Sequence, residues 1–229
     1  MSTPELLLRT LWVLDARGRI VSAREPGAPK GPMLSLLRGP AGCAWAVGHE
    51  LPDTLAAQLD ELAREEPAIT DLETPPIHAS RYRALLGESE LFQGPAFTFP
   101  QQLERASGLV LIEDEALLQK HFRGWVPGEI AEGRAPVVAW VEDGAPVSVC
   151  FCARLSDEAA EAGLETAEAY RGRGLGPRVT AAWGQMIRAS GRVPMYSTAW
   201  SNHASRAVAR KVGLIAYASN WNVRALTQR

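Results

Sequence analysis

The chain has 229 residues, 46% hydrophobic and 22% charged, enough for one large domain or two small ones with an ordinary soluble core. A net charge of −2 and a pI near 6.1 supply no long-range pull toward nucleic acid. Uncharged apolar runs such as 147–153 fall far short of the about 20 residues that span a bilayer, and the acidic start Met-Ser-Thr-Pro-Glu is unlike a secretory leader.

In chain order, strands are expected at 11–15, 19–22 and 42–47, followed by a helix over 51–65 whose Leu55, Leu59 and Leu62 share one face. Pro67, Pro75, Pro76, Pro95 and Pro100 break up the next stretch, so 66–100 reads as a connection packed on the surface, with a short piece at 81–86. Residues 1–104 are therefore taken as an amino-terminal α+β domain with its connection, and 105–229 as a second domain. Arg38-Gly39-Pro40-Ala41-Gly42 precedes a strand and lacks a following helix, so it makes no second glycine cradle. No repeat or low-complexity tract is visible.

The second half reads as a strand at 108–112, a helix at 114–122, a short helical piece at 127–132, and two strands at 136–141 and 147–155. Asp143-Gly144 joins that pair as a hairpin. A strand at 163–166 then leads into Arg171-Gly172-Arg173-Gly174-Leu175-Gly176-Pro177 and a helix to Ile187, with Val179, Ala182, Trp183, Met186 and Ile187 on its apolar face and Gly191 beyond its end. Further on lie a strand at 193–199, a helix at 202–212 capped by Asn202 and closed by Gly213, and a final strand pair.

The glycine stretch sits where a strand becomes a helix. Its glycines let backbone N–H groups approach an anion, and Pro177 suits the first turn of the helix. The P-loop spacing fails, because no Lys-Ser or Lys-Thr pair occurs in the chain. The dinucleotide fingerprint fails too, because a third glycine would be needed at 177, which is Pro.

What remains, Arg171-x-x-Gly174-x-Gly176 after a strand, together with the order of elements over roughly 105–229, resembles the GNAT superfamily of acyl-CoA-dependent N-acetyltransferases. Asn202, Ser205 and Gly213 resemble that family's last signature. The resemblance implies a mixed α/β fold, a central mixed sheet flanked by helices, here with the additional amino-terminal domain. It implies acetyl-CoA as cosubstrate, with Leu164 and Thr166 pairing with its pantetheine arm. The diphosphate would sit on Arg171, Gly172, Arg173, Gly174, Leu175 and Gly176, and Asn202 and Ser205 would touch the arm from the other side. The tyrosine often found seven residues after the asparagine, which protonates the departing thiolate, is replaced by Ala209.

For the catalytic base, Glu165 on the motif strand is the first choice, with Glu161 and Glu158 as alternatives. For the acid, Tyr196 and Tyr170 are the candidates, with Tyr217 a weaker third. In the family the loop between the first two helices commonly sets acceptor specificity, here 121–127, with Arg123 available to an acidic acceptor. The expected reaction is acetyl transfer to a primary amine of a small-molecule acceptor; the rival readings are a non-catalytic acyl-CoA-binding regulatory module and an interaction scaffold. No metal is expected, since His49, His78, His121 and His203 form no ligand spacing. Cys43, Cys150 and Cys152 have no paired spacing, which fits a reducing cytoplasm, and Cys150 and Cys152 read as small buried residues on one side of a strand. No nucleic-acid or membrane partner is expected, and the sequence leaves monomer and homodimer equally open.

Overall fold

The computed structural model describes residues 4–104 and 106–226; residues 1–3 of the stretch read against a leader, residue 105 at the expected domain boundary, and residues 227–229 lie outside the described residues. The first half contains α1 (Pro4–Leu11), β1 (Trp12–Leu14), β2 (Ile20–Ala23), β3 (Leu34–Gly39), β4 (Gly42–Val47), α2 (Asp53–Arg64), α3 (Ala79–Leu86) and β5 (Ser89–Thr98). The second half contains β6 (Leu109–Leu111), β7 (Val138–Glu142), β8 (Ala145–Leu155), β9 (Ala159–Thr166), α4 (Leu175–Ala189), β10 (Val193–Ser197), α5 (His203–Val212) and β11 (Ile215–Ala225).

Nine strands form one mixed sheet in the order β4-β3-β11-β5-β10-β9-β8-β7-β6, and β1 pairs with β2 apart from it. Only β9 and β10 run parallel; the other neighbours are antiparallel. Alternation along the strands sends two sets of side chains to opposite faces. One face meets α2 and α3 through Leu34, Leu36, Trp221 and Val223, and meets α4 through Cys150, Cys152 and Ala160. The other meets α1 and β1 through Leu37, Ala96, Ala159 and Met195, and the 115–134 region through Val149 and Phe151. On α4, Val179, Trp183 and Ile187 recur every four residues and are fully buried, each contributing about 2 kcal/mol by leaving water.

Several expected elements are corrected. The stretch 66–100 is not a surface connection: it holds α3 and the ten-residue β5, in the middle of the sheet between β11 and β10. Pro95 is tolerated there because its carbonyl accepts from Thr198 N, so its polar groups face the β10 side, where the ladder ends at Ala96↔Ser197. Strand β3 was unmarked because Leu34–Gly39 is buried throughout and shows no alternation. The chain opens as helix α1 before the expected strand at 11–15, and the final strand pair is the single long β11.

The helix expected over 114–122 is only a 3₁₀ turn, Glu115–Leu118, and the piece at 127–132 is replaced by a π-turn at Ile130–Arg134 with Gly133 at φ 136°. The cause is local. The Glu115 carboxylate accepts from Gly128 N at 2.5 Å and Ile130 N at 2.6 Å, tying the two segments together side by side. The hairpin at Asp143-Gly144 forms as expected, with positive φ at both residues (48° and 72°). Cys150 and Cys152 are both fully buried under α4.

Candidate functional site

Between α4, α5 and β9 lies a cleft of about 910 Å³. The glycine stretch forms one end of it. Gly172 and Gly174 both have φ of +77°, a conformation that favours glycine, and Gly174 occupies the N-cap of α4 with no side chain capping it. The first N–H groups of a 15-residue helix are thus left without side-chain partners at the positive end of its dipole. Gly176 serves a different purpose. A Cβ there would come within 3.4 Å of both Leu164 and Val208, so its absence lets α4 lie close against β9 and α5.

The middle of the cleft is made by a fork in the sheet. Strands β9 and β10 pair only from Val193↔Ala159 to Met195↔Glu161, although β9 continues to Thr166. Beyond that point β10 stays with β5 through Tyr196↔Phe97 and Ser197↔Ala96, so the β10-facing edge of Ala162 to Thr166 has no strand partner among the described residues. Such an edge offers backbone donors and acceptors to an extended ligand.

Helix α5 borders the far side. Asn202 caps it, its side chain accepting from Ser205 N at 3.0 Å, and Gly213 ends it at φ +77°. Ser205 Oγ in turn lies 2.6 Å from the Tyr196 hydroxyl. Burial pushes the Tyr196 phenol up to about 12, while the bond to Ser205 acts the other way. Tyr196 packs in the same buried cluster as Ala209 of α5.

Most expected site residues line this one cleft: Leu164, Glu165, Thr166, Tyr170, Arg171, Gly172, Gly174, Leu175, Gly176, Tyr196, Asn202 and Ser205. Arg173 does not. Its guanidinium turns away to Glu142, with bonds of 2.7 and 3.0 Å, and lies 5.4 Å from the Tyr170 ring centre. Arg171 donates to the Thr166 carbonyl at 3.1 Å and so braces the loop against β9. Of the other arginines near the loop, Arg178 covers Trp140 and Arg206 covers Trp200. Lys211 reaches the cleft from α5 and is a cation that the sequence pattern did not single out; its spacing of nine residues after Asn202 was the available signal.

Glu165 and Glu161 point to the sheet face opposite α4, about 13 Å apart along β9, so one amine cannot meet both. Glu165 is exposed at the cleft, and the protein around it raises its carboxyl above the ordinary range, an effect that Arg134 opposes. Glu161 is buried and already bonded, to Arg154 at 2.5 Å and to the Ser197 hydroxyl. Glu158 lies outside the cleft lining, and Tyr217 faces the α1 side of the sheet. Tyr170 stands on a 3₁₀ turn with its ring 5.7 Å from that of His121. In the loop 121–127, Phe122 and Trp125 seal the core, Trp125 against Phe151 at 4.8 Å, while Arg123 is exposed. Among the described residues, no group of three or more His, Cys, Asp or Glu side chains is placed to hold a metal ion, and no helix is long and apolar enough to cross a membrane.

Residues 135–221 match the family model described as GNAT acetyltransferase. No curated protein sequence matches the chain. Among solved structures, a GNAT-family protein from Novosphingobium aromaticivorans is similar at a TM-score of 0.50 and 18% identity, over 61% of this chain and 68% of that one. A GCN5-related N-acetyltransferase-like protein from Streptococcus suis is similar at a TM-score of 0.50 and 15% identity, over 84% of each chain. At these identities the likeness is one of fold.

Proposed function

We propose, on the match of residues 135–221 to the GNAT acetyltransferase family model, that the protein is an acyl-CoA-dependent N-acyltransferase that moves an acetyl group from acetyl-CoA to a primary amine of a small acceptor. The observation that carries this reading is the cleft itself, in which an uncapped helix N-terminus and an unpaired strand edge face one channel. The residues present fit the coenzyme. The glycine turn suits a diphosphate, and the β9 edge suits an amide-bearing arm. When bound, acetyl-CoA supplies an activated acyl group as a thioester.

The chain's own residues supply the rest. A β9 backbone N–H at the fork can polarise a carbonyl. Glu165, with its raised affinity for protons, takes the proton from the acceptor ammonium, and Tyr196, held by Ser205, returns one to the leaving sulfur. Tyr170 is the second candidate acid. The division into 1–104 and 105–229 is proposed as functional: the first part extends the sheet and the second bears the cleft. Three free cysteines among the described residues favour a reducing, cytoplasmic setting.

A non-catalytic acyl-CoA-binding module is the second reading, favoured by Ala209 in place of a tyrosine on α5. Acetyl-CoA titration by calorimetry, followed by thiol release with a broad amine panel, separates the two. Catalysis predicts both signals; binding with no thiol release for any amine would leave the regulatory reading.

A further inference from the structure

On the sheet face away from α4 lies a second cavity of about 280 Å³, at the small end for ligand pockets. It shares Ala162, Ser197, Thr198 and Asn202 with the cleft, so the two adjoin at the fork between β9 and β10. Alternate residues of β11, Asn220, Asn222 and Arg224, line one side. Glu161 and Arg154 line another, and Trp12 lies against both guanidinium groups at 5.7 and 5.8 Å.

Four buried polar atoms around this cavity have no partner among the described residues: Oδ1 of Asn220, Oδ1 of Asn222, Nε of Arg154 and Nε of Arg224. Both asparagines are only 2% exposed. Each unpartnered buried polar atom carries an uncompensated loss of hydration. A hydrophobic wall would avoid that cost, so four such atoms around one small cavity mark a surface fitted to a polar molecule. The unpartnered set is mixed, with two acceptors and two donors.

Charge narrows the choice. Arg154 is neutralised by Glu161 at 2.5 Å and by Glu25 at 3.5 Å. Among the described residues no carboxylate forms an ion pair with Arg224; burial and the neighbouring Arg154 cation work against its charge, and the more distant Glu25 and Glu90 only partly offset them. A cation without an ion-pair partner at the far side matches the anionic end of an acceptor whose amine reaches the fork.

We propose that this cavity is the acceptor pocket of the acyltransferase and that its occupant is a small amino carboxylate, with the carboxylate on Arg224 and the amine at the fork between β9 and β10. The inference rests on the acyl-transfer reading. In the reaction the amine nitrogen bonds to the acyl carbon, the acyl carbon–sulfur bond breaks, and the proton lost by the amine ends on the thiol. The products are an N-acyl amino carboxylate and free coenzyme A. Asn220 and Asn222 accept hydrogen bonds from the ligand and orient it.

The test is thiol release from acetyl-CoA with glycine, β-alanine, γ-aminobutyrate, lysine and glutamate, each compared with the amine that lacks its carboxylate. At least one carboxylated member should exceed its partner by about tenfold or more in kcat/KM, the discrimination expected of a charged hydrogen bond. Arg224→Gln should erase that preference through KM while acetyl-CoA affinity stays in place; Asn222→Leu, similar in volume, should raise KM for the same acceptor and serves if the first variant does not fold. Equal use of both members of every pair, or an unchanged preference in both variants, overturns the proposal. If no amine turns over, saturation-transfer NMR of the same panel on the wild-type chain decides: binding of an amino carboxylate over its decarboxylated partner supports the pocket and no such binding rejects it. Loss of acetyl-CoA binding, by contrast, would reject the coenzyme reading alone.

Discussion

Tyr196 and Glu165 stand on different sides of the same fork, one buried and bonded, the other open to the cleft. That difference sets separate expectations. Tyr196→Phe removes only the hydroxyl, so turnover should fall by about a hundredfold while acetyl-CoA affinity holds; single-turnover kinetics read the first and calorimetry the second, and an unchanged rate would move the acid role to Tyr170. Glu165 must lose its proton to act as base, and its carboxyl holds that proton to higher pH than usual. Activity should therefore rise with pH through a limb above the ordinary carboxylate range. Glu165→Gln should flatten that limb in a kcat/KM profile, and an intact limb in the variant would remove Glu165 from the mechanism. Both residues were identifiable from their places on strands flanking the glycine motif. The bond from Tyr196 to Ser205 was not, since it joins a strand to a helix through their three-dimensional packing.

At the scale of elements, β5 and the fork decide the site. Gly94 lies where β5 meets the backbone leaving β10: a Cβ there would sit 1.8 Å from the Thr198 carbonyl oxygen. Gly94→Ala should therefore force β5 and the 198–199 backbone apart, costing about 1–3 kcal/mol and lowering Tm by about 3–10 °C. A scanning-calorimetry Tm equal to wild type would show that this close approach is not constraining. The sequence marks α4, α5 and the Asp143-Gly144 hairpin clearly, because each carries its own period, cap or turn residues. It hides β5 and β3. Pro95 and Gly94 read as breakers in β5, yet the fold uses the one where a ladder ends and the other where two backbones meet. The Leu34–Gly39 run of β3 lacks alternation because it is covered on both faces. The 3₁₀ and π turns were illegible for a third reason: Glu115 is engaged by backbone thirteen and fifteen residues away.

Across the whole molecule the sheet is continuous, and β11 pairs with β3 on one side and β5 on the other. Both partners come from the first 104 residues. Residues 105–229 expressed alone would lose both neighbours of β11 and leave β10 only its short parallel ladder with β9. That fragment should be insoluble or lack a cooperative unfolding transition, and a soluble fragment that binds acetyl-CoA would show the carboxy-terminal part to be self-sufficient.

The central claim, that the uncapped turn before α4 holds the coenzyme diphosphate, is tested most directly by titrating acetyl-CoA into wild type and Gly174→Asp by calorimetry. An aspartate tolerates the +77° φ better than most residues and is favourable at a helix N-cap, so the fold should survive, while its carboxylate repels a diphosphate. Wild type should show one site per chain, and the variant, at unchanged Tm, no measurable binding. Equal affinity in the two proteins would contradict the claim.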